Sequence, residues 1–444
     1  HLHRKEKQTD DGPKDRKAKA QGPICRSRRN LGSQRHTMKK LLDYVMWRSD
    51  GQKVAVSDLK VPERSLAPVE IPLLRLISKG LFPAAGPSGA SPGISKVLRF
   101  RDDDKTRYGG RGVSKTDERI DKTIAPALKL NVTEQEKMDK LMIEMDRSGN
   151  KSKFGTNAVL GVSLSPGKAG AAEKGVPLSR HISDLAGNPE AILSVPAFSM
   201  INGRSYAGNE LAMQESTILP VGASGFWKPR ALRQRFAPTS WRTKKLWSCP
   251  RTQLGRLVIG MHVIVSEFFR SGRYDLHFKS DDSSGYITSD QRADLCKSFI
   301  RECPVVSTED PFDQNDWEAG RSVRLGRHPH VTSPERIAEA LSEKSCNCSL
   351  LKLNQIGSAS EPLQVCMLTR SNSWGIMASH CSGETGETFI IAHLVAGART
   401  GQINTAALCR AELLAKYNQI LRTAEELGSK AKFAVRAFRK PLTR

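Results

Sequence analysis

The sequence predicts an α/β protein with a parallel sheet or barrel in its second half and a separate N-terminal domain. Short apolar runs at residues 257–265, 305–306, 350–353 and 375–378 predict strands, and amphipathic segments separate them. Alternating strands and helices are typical of a parallel sheet or barrel. The length of 444 residues accommodates this barrel together with a second domain.

Three serines predict helix starts in the second half of the chain. Ser289 precedes a helix predicted over 290–299, Ser333 precedes Pro334, and Ser360 precedes a segment with proline in its first turn. Serine is a favoured N-cap residue, and proline is tolerated in the first turn because the N–H it lacks has no partner there. These starts support the alternation of strands and helices.

We expect three regions along the chain. Residues 1–65 are polar and basic without strand or helix periodicity, which predicts a disordered extension. Residues 66–190 form the expected N-terminal domain, and residues 191–440 form the expected barrel domain. Within the N-terminal domain, Thr133 and Glu136 predict a capping box ahead of a helix whose methionines we assign to the core.

The formal net charge of +24 comes mainly from two segments. Residues 1–65 hold 17 Lys and Arg against 8 Asp and Glu, and residues 227–256 hold 9 Lys and Arg and no acid. The remaining residues are close to ordinary in charge. Specific nucleic-acid binding is not expected, because aromatic residues are sparse in the tail and charge runs are usually solvated.

The nine cysteines are scattered and lack the paired spacing of a disulfide framework or a zinc ribbon. This distribution favours a reducing compartment, so we expect a cytoplasmic protein. The first residues contain no apolar signal-peptide core, and no long apolar run follows. Neither secretion nor a membrane partner is expected.

Four polar residues lie at the ends of predicted strands, where barrels of this type carry their catalytic groups. They are His262, Glu309, Lys352 and His380. Taken singly, each could be solvated or salt-bridged. Lys352 stands between leucines in a strand expected to be buried, so it needs either a carboxylate partner or the environment of a general base.

Four segments occur in an order that resembles the enolase (phosphopyruvate hydratase) family. They are Asn209-Glu210-Leu211-Ala212-Met213-Gln214-Glu215, Glu309-Asp310-Pro311-Phe312-Asp313-Gln314, Leu351-Lys352-Leu353-Asn354-Gln355-Ile356-Gly357-Ser358 and Ser382-Gly383-Glu384-Thr385. The resemblance implies a fold of α/β class, an enolase-like modified α/β barrel with a small N-terminal α+β domain. It also implies a usually dimeric enzyme that dehydrates 2-phosphoglycerate to phosphoenolpyruvate in glycolysis. It also implies Mg²⁺, which holds the enolate charge while a lysine removes the proton alpha to the carboxylate.

The resemblance also implies roles for individual residues. Lys352 would be the catalytic base, Glu309 a ligand of the first Mg²⁺, and Ser91 a ligand of the second. The residues that would surround the substrate are Gln214, Glu215, His380 and Ser382.

Two metal-binding carboxylates of the family are absent. Their positions are occupied by His262, which we expect as a neutral imidazole, and by Arg327. Mg²⁺ is a hard dication that prefers oxygen ligands, so we expect its affinity to be reduced. His262, Glu309 and His328 together are an alternative ligand set for zinc or iron, although Arg327 beside them argues against it.

Other family positions are also changed. Cys381 replaces an arginine that grips phosphate, Asn404 replaces a lysine, and Tyr206 replaces a histidine, while Pro92 follows Ser91 where the family has threonine. These changes predict weaker substrate anchoring.

The segment 227–257 is aberrant. It is rich in Arg, Trp and Pro, and the acidic motif that carries the family's general acid is absent before residues 236–238. We hypothesise a deletion with an altered reading frame, as in a decayed gene copy. A closed barrel pairs every strand with two neighbours, so the loss of an element there would expose sheet edges or force the strands to pair differently.

The resulting prediction is a catalytically impaired enolase-family protein. It could form a homodimer or a heterodimer with an intact enolase. A non-enzymatic scaffold that binds partners through the basic segments is the alternative, and a chain that scarcely folds is a third reading.

Overall fold

The computed structural model describes the parts of the chain that form the sheets, the main helices and the strand ends. The described residues are 45–47, 53–55, 72–77, 80–86, 100–106, 112–148, 151–203, 211–221, 258–263, 265, 268–279, 283–313, 316–323, 327–328, 334–380, 390–407, 411–434 and 437–438. Within the expected disordered extension 1–65, the structure describes only 45–47 and 53–55, which form two short paired strands. The segment 222–257, with its altered sequence, lies outside the described ranges.

One eight-stranded sheet dominates the second half of the chain. Its strands are β6 (Val195–Asn202), β7 (Glu215–Leu219), β8 (Val258–His262), β12 (Val305–Glu309), β13 (Arg327–His328), β14 (Cys348–Leu351), β15 (Gly375–Ser379) and β16 (Gly401–Asn404). They follow one another in the order β13-β12-β8-β7-β6-β16-β15-β14. β7 runs antiparallel to β6 and β8, and the other pairings are parallel. The two outermost strands, β13 and β14, lie next to each other, so the sheet curls toward a barrel.

The α/β class and the barrel-like sheet are therefore confirmed. The expected exposure of sheet edges beside segment 227–257 is not seen, because β7 and β8 pair directly over five residue positions although that segment separates them in sequence. The strands β8, β12, β14 and β15 lie where apolar runs predicted them. Their buried side chains pack against the surrounding helices.

Nine short strands form smaller sheets and ribbons. They are β1 (Val45–Trp47), β2 (Lys53–Ala55), β3 (Pro72–Ile77), β4 (Gly80–Ala85), β5 (Ile192–Leu193), β9 (Phe269–Arg270), β10 (Arg273–Asp275), β11 (Tyr286–Ile287) and β17 (Lys432–Phe433). β3 and β4 form an antiparallel hairpin in the N-terminal part of the chain.

The described α-helices surround the sheet and build the N-terminal part. They are α1 (Ser114–Arg119), α2 (Ala125–Ala127), α3 (Gln135–Asp146), α4 (Thr156–Lys174), α5 (Leu178–Leu185), α6 (Ser289–Glu302), α7 (Trp317–Ser322), α8 (Pro334–Ser342), α9 (Ser360–Ser371), α10 (Ile390–Gly397) and α11 (Ala411–Leu427). A π-helical turn, Ile120–Ile124, joins α1 to α2.

The N-terminal part has its own core between α3, α4 and the π-helical turn. Met138 and Met142 of α3 are fully buried and pack with Ile120, Ile124 and Phe154. The assignment of these methionines to the core is therefore correct. Helix α4 also lies against the β3–β4 hairpin, so this helix contacts both the helical core and the hairpin.

Three helix starts differ from the sequence prediction. The capping box of Thr133 and Glu136 is not formed: α3 has Glu134 as its N-cap residue, without a side-chain hydrogen bond. Helix α6 begins at Ser289 and is capped by Thr288, which forms a capping box with Gln291. Helix α9 begins at Ser360 itself, with Ala359 as its N-cap residue. Helix α8 begins at Pro334 as expected, while Ser333 lies outside the described residues.

Buried polar contacts join the N-terminal part to the barrel. Asp139 of α3 accepts hydrogen bonds from the backbone N–H, at 2.9 Å, and the hydroxyl of Ser360 at the start of α9. Lys151 donates to Glu361 Oε2 at 2.5 Å and to the Ile356 carbonyl. The two parts therefore share a polar interface as well as apolar packing.

Within the described ranges, no helix combines the length and the apolar character needed to cross a bilayer.

Candidate active site at the carboxyl ends of the barrel strands

The sheet brings four titratable residues to one edge. His262 is the last residue of β8 and Glu309 is the last residue of β12, and these parallel strands align the two residues as register partners. β7 runs in the opposite direction, so its first residue, Glu215, is the register partner of His262 on the other side. Lys352 directly follows β14. His262, Glu309 and Lys352 therefore lie at strand ends, as predicted.

His262 lies between two carboxylates. Its Nδ1 is 2.9 Å from Glu215 Oε1 in a hydrogen bond, and its Nε2 is 2.8 Å from Glu309 Oε1. The second contact is at ion-pair distance but lacks hydrogen-bond alignment. Lys352 Nζ lies 3.4 Å from the same Glu309 oxygen. All four residues are buried, with exposed fractions of 8% or less.

Two neutral side chains complete the surroundings of Glu215. The Ser199 hydroxyl on β6 donates to Glu215 Oε2, and Asn404 Nδ2 on β16 lies 3.5 Å from Glu215 Oε1. Ser199 is not a candidate from the sequence, where its only signal is that it is a polar residue inside an apolar strand. The sequence indicates Asn404 only as a changed substrate position. It instead contacts a protein carboxylate.

The cluster changes the ionisation of its members. Burial alone would lower the pKa of His262, but the charge of Glu309 and the hydrogen bond with Glu215 outweigh it and raise the pKa to about 9. Burial would raise the pKa of Glu215, yet the hydrogen bond and charge of His262 hold it below its usual value. His262 is thus an imidazolium at neutral pH. The expectation of a neutral imidazole was wrong, because the sequence does not show that two carboxylates flank it.

Asp310 adds a second carboxylate on the β12 side. One ligand atom from each of His262, Glu309 and Asp310 lies within 4.8 Å of the others, and all three residues are buried. These residues do not fit Mg²⁺, which prefers about six oxygen ligands in octahedral geometry. An imidazole stands where the family has a carboxylate, and its Nε2 already lies beside Glu309 Oε1. The donor set is therefore a mixed nitrogen and oxygen set.

The other expected site residues divide into three groups. Gln214 and His380 lie at the same edge: the Gln214 carbonyl accepts the Gly203 N–H, and the His380 N–H donates to the Asn404 carbonyl at 2.9 Å. Arg327 and His328 form β13, and His328 is the register partner of Glu309. The remaining residues lie outside the described ranges, namely Ser91, Pro92, Tyr206, Cys381 and Ser382.

Comparison with family models covers both parts of the chain. The model described as "Enolase, N-terminal domain" matches residues 64–182. The model described as "Enolase, C-terminal TIM barrel domain" matches residues 190–235 and 252–442, with the gap inside the segment of altered sequence. The barrel match alone spans more than half of the chain, and its residues include the whole buried cluster. This chain therefore belongs to the enolase family.

Proposed function

We propose that this enolase-family protein is impaired in, or unable to perform, the dehydration of 2-phosphoglycerate to phosphoenolpyruvate. The observation that carries this proposal is the position of His262 between Glu215 and Glu309, at 2.9 and 2.8 Å. The side chain of His262 thus neutralises Glu215 and Glu309, which the family resemblance assigns to substrate binding and metal binding. No step through Mg²⁺ is assigned, because the donor set does not fit that ion.

The position of Lys352 only partly suits the role of catalytic base that the family resemblance assigns to it. It is buried at the strand-end edge, where a base could face a bound substrate. Its Nζ, however, is an ion-pair partner of Glu309 at 3.4 Å. Proton abstraction requires a neutral amine within reach of the proton, so Lys352 would have to leave this carboxylate before it could act.

Substrate binding is also disfavoured by charge. 2-Phosphoglycerate carries a carboxylate and a phosphate, and both need cationic or strongly donating partners. At the described edge, Asn404 supplies a neutral amide, and it already lies beside Glu215. The two buried carboxylates, Glu215 and Glu309, would repel an anionic ligand unless their cationic partners remained in place.

The test is turnover by the purified full-length chain, followed as phosphoenolpyruvate formation by ³¹P NMR with Mg²⁺ present. The matched control is Lys352→Ala, purified identically, because contaminating host enolase would contribute equally to both samples. We expect the two rates to be indistinguishable. Turnover that depends on Lys352 would contradict the proposed impairment.

A thermal melt followed by circular dichroism tests binding separately. The proposal expects a cooperative transition that does not move when Mg²⁺ and 2-phosphoglycerate are added together. An upward shift with both ligands, absent with either alone, would show that family-type binding survives.

The proposal extends to assembly and location. Enolases are often dimeric, so we propose a homodimer, or a heterodimer with an intact enolase, in the cytoplasm. Light scattering of the purified chain, alone and mixed with an active enolase, measures this assembly. A monomeric mass in both samples would contradict it.

A further inference from the structure

The buried cluster contains three residues whose ligand atoms converge. Within the described part of the chain, His262, Glu309 and Asp310 bring an imidazole nitrogen and two carboxylate oxygens within 4.8 Å of one another. We propose that these three residues form a zinc site, and that the histidine has changed the metal preference of this edge from Mg²⁺ to Zn²⁺.

The backbone at Asp310 explains how two consecutive carboxylates can serve one ion. Successive side chains of a strand point to opposite faces, so Glu309 and Asp310 would normally diverge. Strand β12 ends at Glu309, and Asp310 has a φ of 47° in the left-handed region. Aspartate tolerates this conformation better than most residues. The turn places both carboxylates near His262.

The hydrogen bonding of His262 matches that of a metal-ligating histidine. Such histidines commonly bind the ion through one ring nitrogen while the other donates to a carboxylate. Here Nδ1 is hydrogen bonded to Glu215, whereas Nε2 is buried without an aligned hydrogen bond and faces Glu309. Glu215 is thus a positioning residue that would orient the imidazole.

The formal charges favour a dication. Glu215, Glu309 and Asp310 contribute three negative charges, and Lys352 contributes one positive charge. A dication bound to a neutral imidazole balances this set. On binding, the ion replaces the proton on Nε2, and this proton goes to solvent. The ion then neutralises Glu309 in place of the imidazolium.

The geometry requires only a small rearrangement. Zinc bonds of about 2.0–2.1 Å in a tetrahedron separate their ligand atoms by about 3.3 Å. The Nε2–Oε1 distance is 2.8 Å, and the widest separation in the set is within 4.8 Å. Side-chain shifts on the order of 1 Å therefore suffice. Two carboxylates and one imidazole suit zinc, whereas Mg²⁺ would require additional oxygen ligands.

This inference does not depend on turnover, so its outcome is distinguishable from that of the proposed function. The experiment uses the full-length chain, stripped with a chelator and then dialysed. Zinc binding is measured by isothermal titration calorimetry, and the stoichiometry by elemental analysis. We expect one zinc per chain and no comparable uptake of Mg²⁺.

Four variants assign the site. His262→Ala and Asp310→Asn each remove a ligand and should weaken zinc binding by about 100-fold or more, while Glu215→Gln should weaken it by about 10-fold. The matched control, Cys346→Ser, removes a partly exposed free thiol and should leave binding unchanged. His262→Asp should lower the zinc affinity and raise the Mg²⁺ affinity, because it restores an all-oxygen set. Circular dichroism verifies that each variant is folded.

X-ray absorption of the zinc-loaded wild-type chain gives a result that does not depend on any variant. The proposal expects nitrogen and oxygen neighbours with a single imidazole signature. Sulfur neighbours, zinc binding that is unchanged in both His262→Ala and Asp310→Asn, or the absence of one bound equivalent would each overturn it.

Discussion

His262 stands opposite Glu215 on neighbouring antiparallel strands, and its Nδ1 is hydrogen bonded to Glu215 Oε1 at 2.9 Å. Both side chains are buried, so neither charge can be solvated by water. Removing one partner of a buried ion pair leaves the other charge uncompensated, which costs more than the pair itself contributes. The contact is therefore important to stability whether or not the site performs catalysis.

The first prediction is that Glu215→Ala lowers the free energy of unfolding by about 3 kcal/mol. Glu215→Gln should cost less, because its amide oxygen can still accept from Nδ1. The measurement is urea denaturation at neutral pH. Adding His262→Leu to Glu215→Ala should recover part of the loss, because Glu215→Ala leaves one excess positive charge in the cluster and Lys352 alone then balances Glu309. If Glu215→Ala were as stable as wild type, His262 would not be held by this carboxylate.

The second prediction concerns the contact between the N-terminal part and the barrel. Lys151 Nζ bonds to Glu361 Oε2 at 2.5 Å, and the Ser358 hydroxyl donates to the same oxygen at 2.5 Å. Lys151→Met keeps the apolar stem but leaves Glu361 without its cation, so we expect a loss of roughly 2 to 3 kcal/mol. The control is Lys153→Met, whose side chain is exposed and should change stability by less than about 0.5 kcal/mol.

A double-mutant cycle gives the decisive value for this pair. If Lys151 and Glu361 interact directly, Lys151→Met combined with Glu361→Gln costs less than the sum of the two single changes. Additive losses would instead mean that each residue acts through separate contacts.

The strand ends of the site could be predicted from sequence, because an apolar run followed by a polar residue has a local signature. His262, Glu309 and Lys352 are such cases. The contact of His262 with Glu215 could not be predicted. Glu215 faces His262 because β7 runs antiparallel to β8, Ser199 of the neighbouring strand β6 donates to Glu215, and Asp310 joins the cluster through a left-handed turn. The ionisation of His262 depends on these nonlocal contacts.

The predicted N-cap residues Thr133 and Ser289 do not cap their helices because their hydroxyls form other hydrogen bonds. Thr133 has the sequence of an N-cap residue, but Asn131 Oδ1 accepts hydrogen bonds from both the backbone N–H and the hydroxyl of Thr133. The Thr133 hydroxyl is thus engaged before the helix begins. Similarly, the Ser289 hydroxyl donates to Asp316 at 2.7 Å, which leaves the cap to Thr288. Several polar residues near a helix start compete, and tertiary contacts decide among them.

The third prediction is that Asp117→Asn stabilises the protein at neutral and alkaline pH. Burial, followed by the charges of Asp121 and Asp102, raises the pKa of Asp117 from 3.8 to about 7. The unfolded chain therefore releases this proton at lower pH than the folded chain, and stability is lost as the pH rises from 3.8 through 7. Asparagine removes the penalty, so we expect a gain of roughly 1 to 2 kcal/mol above pH 7 after allowance for solvent screening.

Thermal melts at several pH values measure this effect. The matched control is Glu118→Gln on the same helix, where the carboxylate is exposed and paired with Lys122. Its melting temperature should change little. A gain for Asp117→Asn that is equal at acidic and alkaline pH would contradict the assigned cause, because only a titrating group produces the pH dependence.

The fourth prediction is a loss of stability in mild acid that depends on His181. This side chain on α5 is fully buried, and neither ring nitrogen has a hydrogen-bond partner among the residues that the structure describes. Burial and the charge of Lys174 lower its pKa to about 4, although Asp184 opposes the shift. Between pH 6.5 and pH 4 the unfolded chain binds a proton that the folded chain refuses, so the free energy of unfolding falls as the pH falls.

By about pH 5 this loss reaches up to about 2 kcal/mol. His181→Leu retains an apolar side chain of similar size and cannot bind a proton, so its urea-denaturation profile should be flatter across this window. His277→Leu is the control, because His277 is exposed. If His181→Leu kept the full acid slope while its neutral-pH stability matched wild type, other buried groups would have to account for the slope. His393 would be tested next, because burial also lowers its pKa to about 4.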